Sequence, residues 1–276
     1  MKLKIMIVIV LIAAAWAFGR TGGKVTPHDS SPFETRTGRE ETRQSYQLAS
    51  GARIEVSGIN GPVKVETADT DTAEVHIISS ASNPSDLDHH KIIVEQTLNS
   101  LNIHGKNKRS WWRKLWSGGA NVHQQVTLRI PRRSDLMASG VNGSVTVGEI
   151  EGAVHVSGIN GRVEVAPSIG ASEVHGVNGP VSLGVGRLNE QGVSVNGVNG
   201  AVELRFGESV NADLSVDGLN GTVSSGLSNM IIEEQPSRSS LRARIGTGGA
   251  PIDISGVNGR VRLESTTREG QQPREK

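Results

Sequence analysis

The feature that most constrains this chain is an eight-residue phrase that keeps returning. Gly140 to Val147 reads Gly-Val-Asn-Gly-Ser-Val-Thr-Val, and the same pattern recurs from Gly158 to Val165, Gly176 to Leu183, Gly197 to Leu204 and Gly256 to Leu263. A decayed copy runs from Gly218 to Val223, and an outlying one from Gly58 to Val65. The central Asn residues fall at 142, 160, 178, 199, 220 and 258, so the spacings are 18, 18, 21, 21 and 38, the last close to two units of 19. Glu151 to Val156 is a half-step copy, which implies two short strands per unit. A fixed period of this length is the signature of stacked repeats, in which no unit buries enough surface alone.

The residue types say what each unit is. Val-x-Val puts two β-branched side chains on one face of a strand, where they suit a packed, pleated surface. Asn and Gly tolerate positive φ, so Asn60-Gly61, Asn142-Gly143, Asn160-Gly161, Asn178-Gly179, Asn199-Gly200, Asn220-Gly221 and Asn258-Gly259 are read as structural turns. The chain is therefore all-β with little helix. Two architectures fit: a parallel β-solenoid, or β-helix-like stack, with the turns in a column, and an antiparallel β meander with each Asn-Gly as a hairpin turn. Near-constant unit length favours the solenoid, because stacked rungs need equal lengths. Further strands are expected within 47–65, around Val75 to Ile78, and at Ile92 to Val94, Leu101 to Ile103 and Val126 to Ile130.

The first residues concern compartment. Lys2 and Lys4 precede an apolar run of 14 residues, Ile5 to Phe18, and Ala15-Trp16-Ala17 resembles a cleavage site. Residues 1–17 are read as a secretory signal peptide, with an uncleaved signal anchor as the alternative. Residues 18–43 are polar and rich in turn formers, read as a flexible linker; 44–264 form the repeat domain; 265–276 form a disordered polar tail. Export without cysteine means no disulfides, so backbone pairing and aliphatic packing must hold the fold. Thiol catalysis and thiolate metal sites are excluded. A formal net charge of +1 argues against nucleic acid as a partner.

A signal peptide, the segment Ser57 to Val65, then Val126 to Pro131 and serial V-N-G-x-V-x-V units together resemble the bacterial putative-adhesin family of unknown function, over about Tyr46 to Leu263. The resemblance implies a right-handed β-solenoid-like fold outside the cytoplasm, in the periplasm, at the cell surface or secreted. It brings no catalytic residues.

No column of equivalent positions carries a repeated carboxylate. Between the two Val positions stand Lys64, Thr146, Glu164, Ser182, Glu203 and Arg262; five before successive Asn residues stand His155, Glu173, Ser194, Ser215 and Asp253. A polysaccharide-cleaving solenoid needs converging acids, so an enzyme is the disfavoured reading. The turns lack the Asp of calcium-binding β-rolls, and the His residues do not share offsets, so neither metal nor cofactor is expected. The one candidate contact site is a cationic, Trp-rich insertion within 104–120: Lys106, Lys108, Arg109, Trp111, Trp112, Arg113, Lys114 and Trp116. As a helix, its Trp residues would share an arc of about 140°. Such a segment suits a membrane surface or a glycan, or else caps the repeat stack. The expected function is non-enzymatic: an adhesin-like surface or envelope-associated module, or alternatively an envelope stress or sensing module, whose partner is an envelope component, a glycan or a lipid surface.

Overall fold

The computed structural model describes residues 38–107, 122–207, 210–233, 237 and 239–266. Strands dominate. The N-terminal third holds β1 (Gly38–Gln47), β2 (Arg53–Ser57), β3 (Val63–Ala68), β4 (Thr72–Ala81), the short helix α1 (Pro84–His89), β5 (His90–Thr97), β6 (Ser100–Asn107) and β7 (Val122–Pro131). The repeats supply β8 (Asp135–Ser139), β9 (Val145–Val147), β10 (Val154–Asn160), β11 (Val163–Ser168), β12 (Ser172–Asn178), β13 (Val181–Val185), β14 (Val193–Asn199) and β15 (Val202–Phe206). The last part contains β16 (Ala212–Asp217), β17 (Asn220–Ser225), β18 (Met230–Ile232), β19 (Leu241–Ile245) and β20 (Ala250–Ser265).

Each repeat contributes one strand before its Asn-Gly and one after it, and the two sets form two ladders. In the first, β6, β2, β8, β10, β12, β14, β20 and β16 pair in parallel, one beside the next. In the second, β7, β3, β9, β11, β13, β15, β20 and β17 do the same. Antiparallel strands close the ends: β5 on β6, β4 on β7 with β1 beyond it, and β19 on β16 with β18 beyond that. The fold is thus all-β with mixed strand orientation. Equivalent strands of neighbouring repeats pair with each other, as Val163↔Val181 and Glu164↔Ser182 illustrate, not across their own Asn-Gly turns as a meander requires.

The core follows from alternation. Val154, Val156, Ile159, Val163 and Val165 of one repeat are all buried, and the corresponding aliphatic residues of its neighbours join them in one cluster, while β12 has Ser172 and β17 has half-buried Val223 and exposed Ser225 at the matching positions. Thr146, Glu164, Ser182 and Glu203 lie on the opposite, partly exposed face. The Asn side chains form a hydrogen-bonded column along one edge. Asn142 donates to Asn60, Asn160 to Asn142, Asn178 to Asn160, Asn199 to Asn178, Asn258 to Asn199 and Asn220 to Asn258, all at 2.8–3.2 Å.

Several sequence expectations need correction. Asn220 does not stand between Asn199 and Asn258; Asn258 stacks on Asn199 and Asn220 lies outside it. The 38-residue step is therefore no pair of successive units. The αL backbone sits at the glycine two residues before each Asn, with φ of 62° at Gly158 and 63° at Gly176. The glycine after Asn also has positive φ in most repeats, as at Gly61 with 143° and Gly179 with 151°, and is demanded by space as well. A Cβ on Gly161 would fall 2.4 Å from the Gly143 carbonyl oxygen. Residues 38–43, read as linker from their polarity, belong to β1, an edge strand ordered by pairing with β4 while its side chains stay mostly exposed. Likewise His104 to Asn107, assigned to the insertion, continue β6 because they pair with β5.

Candidate functional site

The outward columns of the second ladder build the most structured surface. Lys64, Thr146, Glu164, Ser182, Glu203 and Arg262 stand side by side in register. Toward the strand ends the side chains shrink in the middle of the row. Gly148 follows Val147, and Ala166-Pro167 follows Val165 where β11 shifts register against β13. Pro167 presses so close to Gly184 that a Cβ there would sit 2.5 Å from the Pro167 nitrogen. Bulky charged residues stand at either side: Lys64 and Glu66 on β3, Arg205 on β15. The result is an open groove of about 510 Å³, lined by Lys64, Glu66, Thr67, Thr146, Gly148, Glu164, Pro167 and Arg205 among others. A second hollow of about 450 Å³ shares Glu66 and continues across β7 and β4 to β1, with Arg43, Glu74, His76 and Arg129 in its walls.

The charges in this track are paired with each other. Lys64 meets Glu66 at 2.7 Å, Arg129 meets Glu74 at 3.5 Å, and Arg205 lies 3.9 Å from Glu164 and 3.8 Å from Glu203. The hydrogen bond from Lys64 holds the Glu66 carboxyl below its ordinary range, so it stays ionised near neutrality and makes a poor proton donor. Arg43 and His76 do the same for Glu41, where the His76 bond is the larger cause. Surface pairs of this kind add little stability, but they fix the positions of cations and anions on a rigid face.

On the first ladder, His155 contacts Glu173 at 2.9 Å through Nδ1, and His175 stands beside Ser157 and Asn196, in a different column as its offset implied. Among the described residues, no three His, Asp or Glu side chains gather as metal ligands would. No described helix is long and apolar enough to cross a membrane. Of the cationic, Trp-rich candidates, Lys106 is exposed on β6 opposite Lys91. Lys108, Arg109, Trp111, Trp112, Arg113, Lys114 and Trp116 lie outside the described residues. All the Asn-Gly turn residues fall on the one edge, where the Asn60 side chain ends the column by donating to the Val122 carbonyl and the buried Gln124 holds the Asn60 backbone. The Gln124 side-chain oxygen accepts from the Asn60 amide and its nitrogen donates to the His90 carbonyl.

No family model matches the chain, and no curated protein matches it. Solved structures are similar across most of its length. A "putative cell adhesion protein" from Clostridium sporogenes is 9% identical with a TM-score of 0.43, covering 82% of this chain and 100% of that one. A "putative adhesin" from Bacteroides fragilis is 10% identical with a TM-score of 0.37, over 81% and 97% of the two chains. A "putative lipid binding protein" from Parabacteroides distasonis is 10% identical with a TM-score of 0.25, over 82% and 97%. The likeness is one of fold.

The groove was missed from sequence. Its signal was present: after the second aliphatic position of Val-x-Val or Val-x-Leu, Gly148 and Ala166 are small where Glu66 and Arg205 are large. Only the register between repeats shows that these residues adjoin.

Proposed function

We propose that this is an exported, non-enzymatic binding protein, adhesin-like in its action, whose repeats are coils of a right-handed β-solenoid. Its ligand lies along the mixed-charge track of the second ladder. One observation carries the reading: the track runs across strands from β1 to β15 as two hollows joined at Glu66, with side chains at the strand spacing of about 4.8 Å. A long, open, periodically charged trough suits an extended polymer bearing both hydrogen-bonding and charged groups, such as an envelope glycan. A buried pocket would suit a small substrate. The paired, ionised carboxylates favour recognition over acid–base chemistry, and the apolar run at Ile5 to Phe18 supports export.

Retention on immobilised envelope glycans tests the proposal. Lys64→Ala with Arg205→Ala should weaken retention at least several-fold and leave the circular dichroism spectrum unchanged. Undiminished retention by that variant sinks the track as the site. The Trp-rich segment favours a second reading, a lipid surface, because Trp and cations together suit anionic head groups. Replacing Trp111, Trp112 and Trp116 by Ala should then abolish co-sedimentation with anionic vesicles while the track variant still sediments.

A further inference from the structure

The order of strands in space departs from their order in the chain at each end of the stack: β6 and β7 lie outside β2 and β3, and β20 lies inside β16 and β17. From Asn142 through Asn199 each repeat stacks on the one before it. The next in sequence, carried by β16 and β17, is displaced outward, and β20 from the end of the described chain occupies the position between. The fit of β20 is complete along its length. Ile252, Ile254, Val257, Val261 and Leu263 are all at most 1% exposed, with Val195 and Leu204 on one side and Val216 and Val223 on the other.

Nothing in the spacing forbids the alternative. Asn199 and Asn220 are 21 residues apart, as are Asn178 and Asn199, so β16 and β17 have the length to stack directly on β14 and β15. What separates the two candidates is their side chains. Where β15 has Leu204 and β20 has Leu263, β17 has Ser225. The polar residue suits a terminal rung with one open side, and the aliphatic one suits a rung enclosed on both. The slot is thus specific for a segment of the β20 pattern, and its outer wall was in place earlier in the sequence than its occupant.

The connection to β20 is short. Gly246 to Gly249 must cross the start of β16, since β19 and β20 flank that strand on opposite sides. Three of these four residues are glycines with φ of 61°, 77° and 145°. A Cβ on Gly246 would lie 2.1 Å from Asn211 Oδ1. A tight hinge carrying a strand that is a discrete insert is the arrangement from which identical copies exchange segments at low cost, because an extended hinge removes the crossing and leaves every slot contact intact.

We propose that the slot between β14/β15 and β16/β17 is a strand-acceptor site, filled in this chain by its own β20 and open to β20 of a second copy. Exchange joins two chains at their C-terminal ends without any new contact chemistry. The chain has no cysteine, so introduced thiols report without interference. Glu203 and Arg262 are register partners across β15 and β20, both on the outer face. Full-length Glu203→Cys and Arg262→Cys chains are mixed, partially unfolded in denaturant, returned to buffer and oxidised. The expected result is a disulfide-linked heterodimer whose yield rises with protein concentration, and rises further when Gly246→Ala and Gly248→Ala strain the hinge. The double variant Glu203→Cys/Arg262→Cys should instead close within one chain at low concentration. Internal closure of the double variant with no heterodimer at any concentration overturns the proposal. So does equal linkage of Arg262→Cys chains to a Glu164→Cys partner, three rungs from Arg262, which would mark random encounter.

Discussion

Two glycines in one repeat have different physical reasons for being glycine. Gly158 holds φ at 62°, a conformation that costs an L-residue roughly 1–2 kcal/mol, yet its nearest neighbour would be 3.5 Å from an added Cβ. Gly161 faces the Gly143 backbone, where an added Cβ would overlap the carbonyl oxygen at 2.4 Å. Gly158→Ala should therefore cost about 1–2 kcal/mol, the backbone term alone, while Gly161→Ala should cost clearly more and disturb the Asn column beside it. Urea denaturation of the two variants, with equal losses as the contrary result, checks this. The same contrast separates the two faces of β11. Val163 is fully buried, so Val163→Asp strands a charge in the aliphatic core and should prevent stable stacking of neighbouring repeats. Glu164→Gln on the outer face should change stability by less than about 0.5 kcal/mol. Identical melting temperatures would mean that the inward face is misassigned.

At the scale of the element, β1 shows how a strand can be ordered without a buried face of its own. Among the described residues it pairs with β4 alone, and its charged residues Arg39, Glu40, Glu41 and Arg43 guard the open side against further pairing. Glu41 ties it to β4 through His76 at 2.9 Å, and the His76 and Arg43 bonds lower the Glu41 pKa from the usual 4.5. A depressed carboxylate contributes stability above its unfolded pKa and loses that contribution as pH falls through its folded one. Protection of β1 amides from hydrogen exchange, corrected for the intrinsic rate, should thus decline as pH drops below about 4.5. Protection in β10 to β15 should hold. Glu41→Gln should remove the pH dependence of β1, and an unchanged profile in that variant would refute the link. β17 is the complementary case, since its run from Gly218 to Ile232 contains no charge at all.

Across the whole molecule, stability is shared between neighbours in space, as in other stacked repeats. The position of β20 makes this testable. Ile254→Asp places a charge between Val195 and Val216 in register. Hydrogen exchange should then speed up in both β14/β15 and β16/β17, while β8 to β11 keep their protection. Loss confined to β20 itself would contradict the enclosed position of the strand.

The residues of the repeat sufficed to establish that the chain is all-β, which side chains of Val-x-Val face inward, and that the Asn residues align. Those properties depend on local periodicity, on φ tolerance and on equal unit lengths, each visible within about twenty residues. Three things needed the tertiary structure. The cap strand β1 is polar, and its order comes from pairing with β4 rather than from any apolar pattern of its own. The groove at Gly148 and Ala166-Pro167 exists only because stacking sets small residues from separate repeats beside one another. The exchange of place between β20 and β16/β17 was decided by burial. Two segments with the same Asn-Gly pattern competed for one enclosed rung, and the one with Leu263 took it from the one with Ser225, because an interior rung rewards apolar area on both sides.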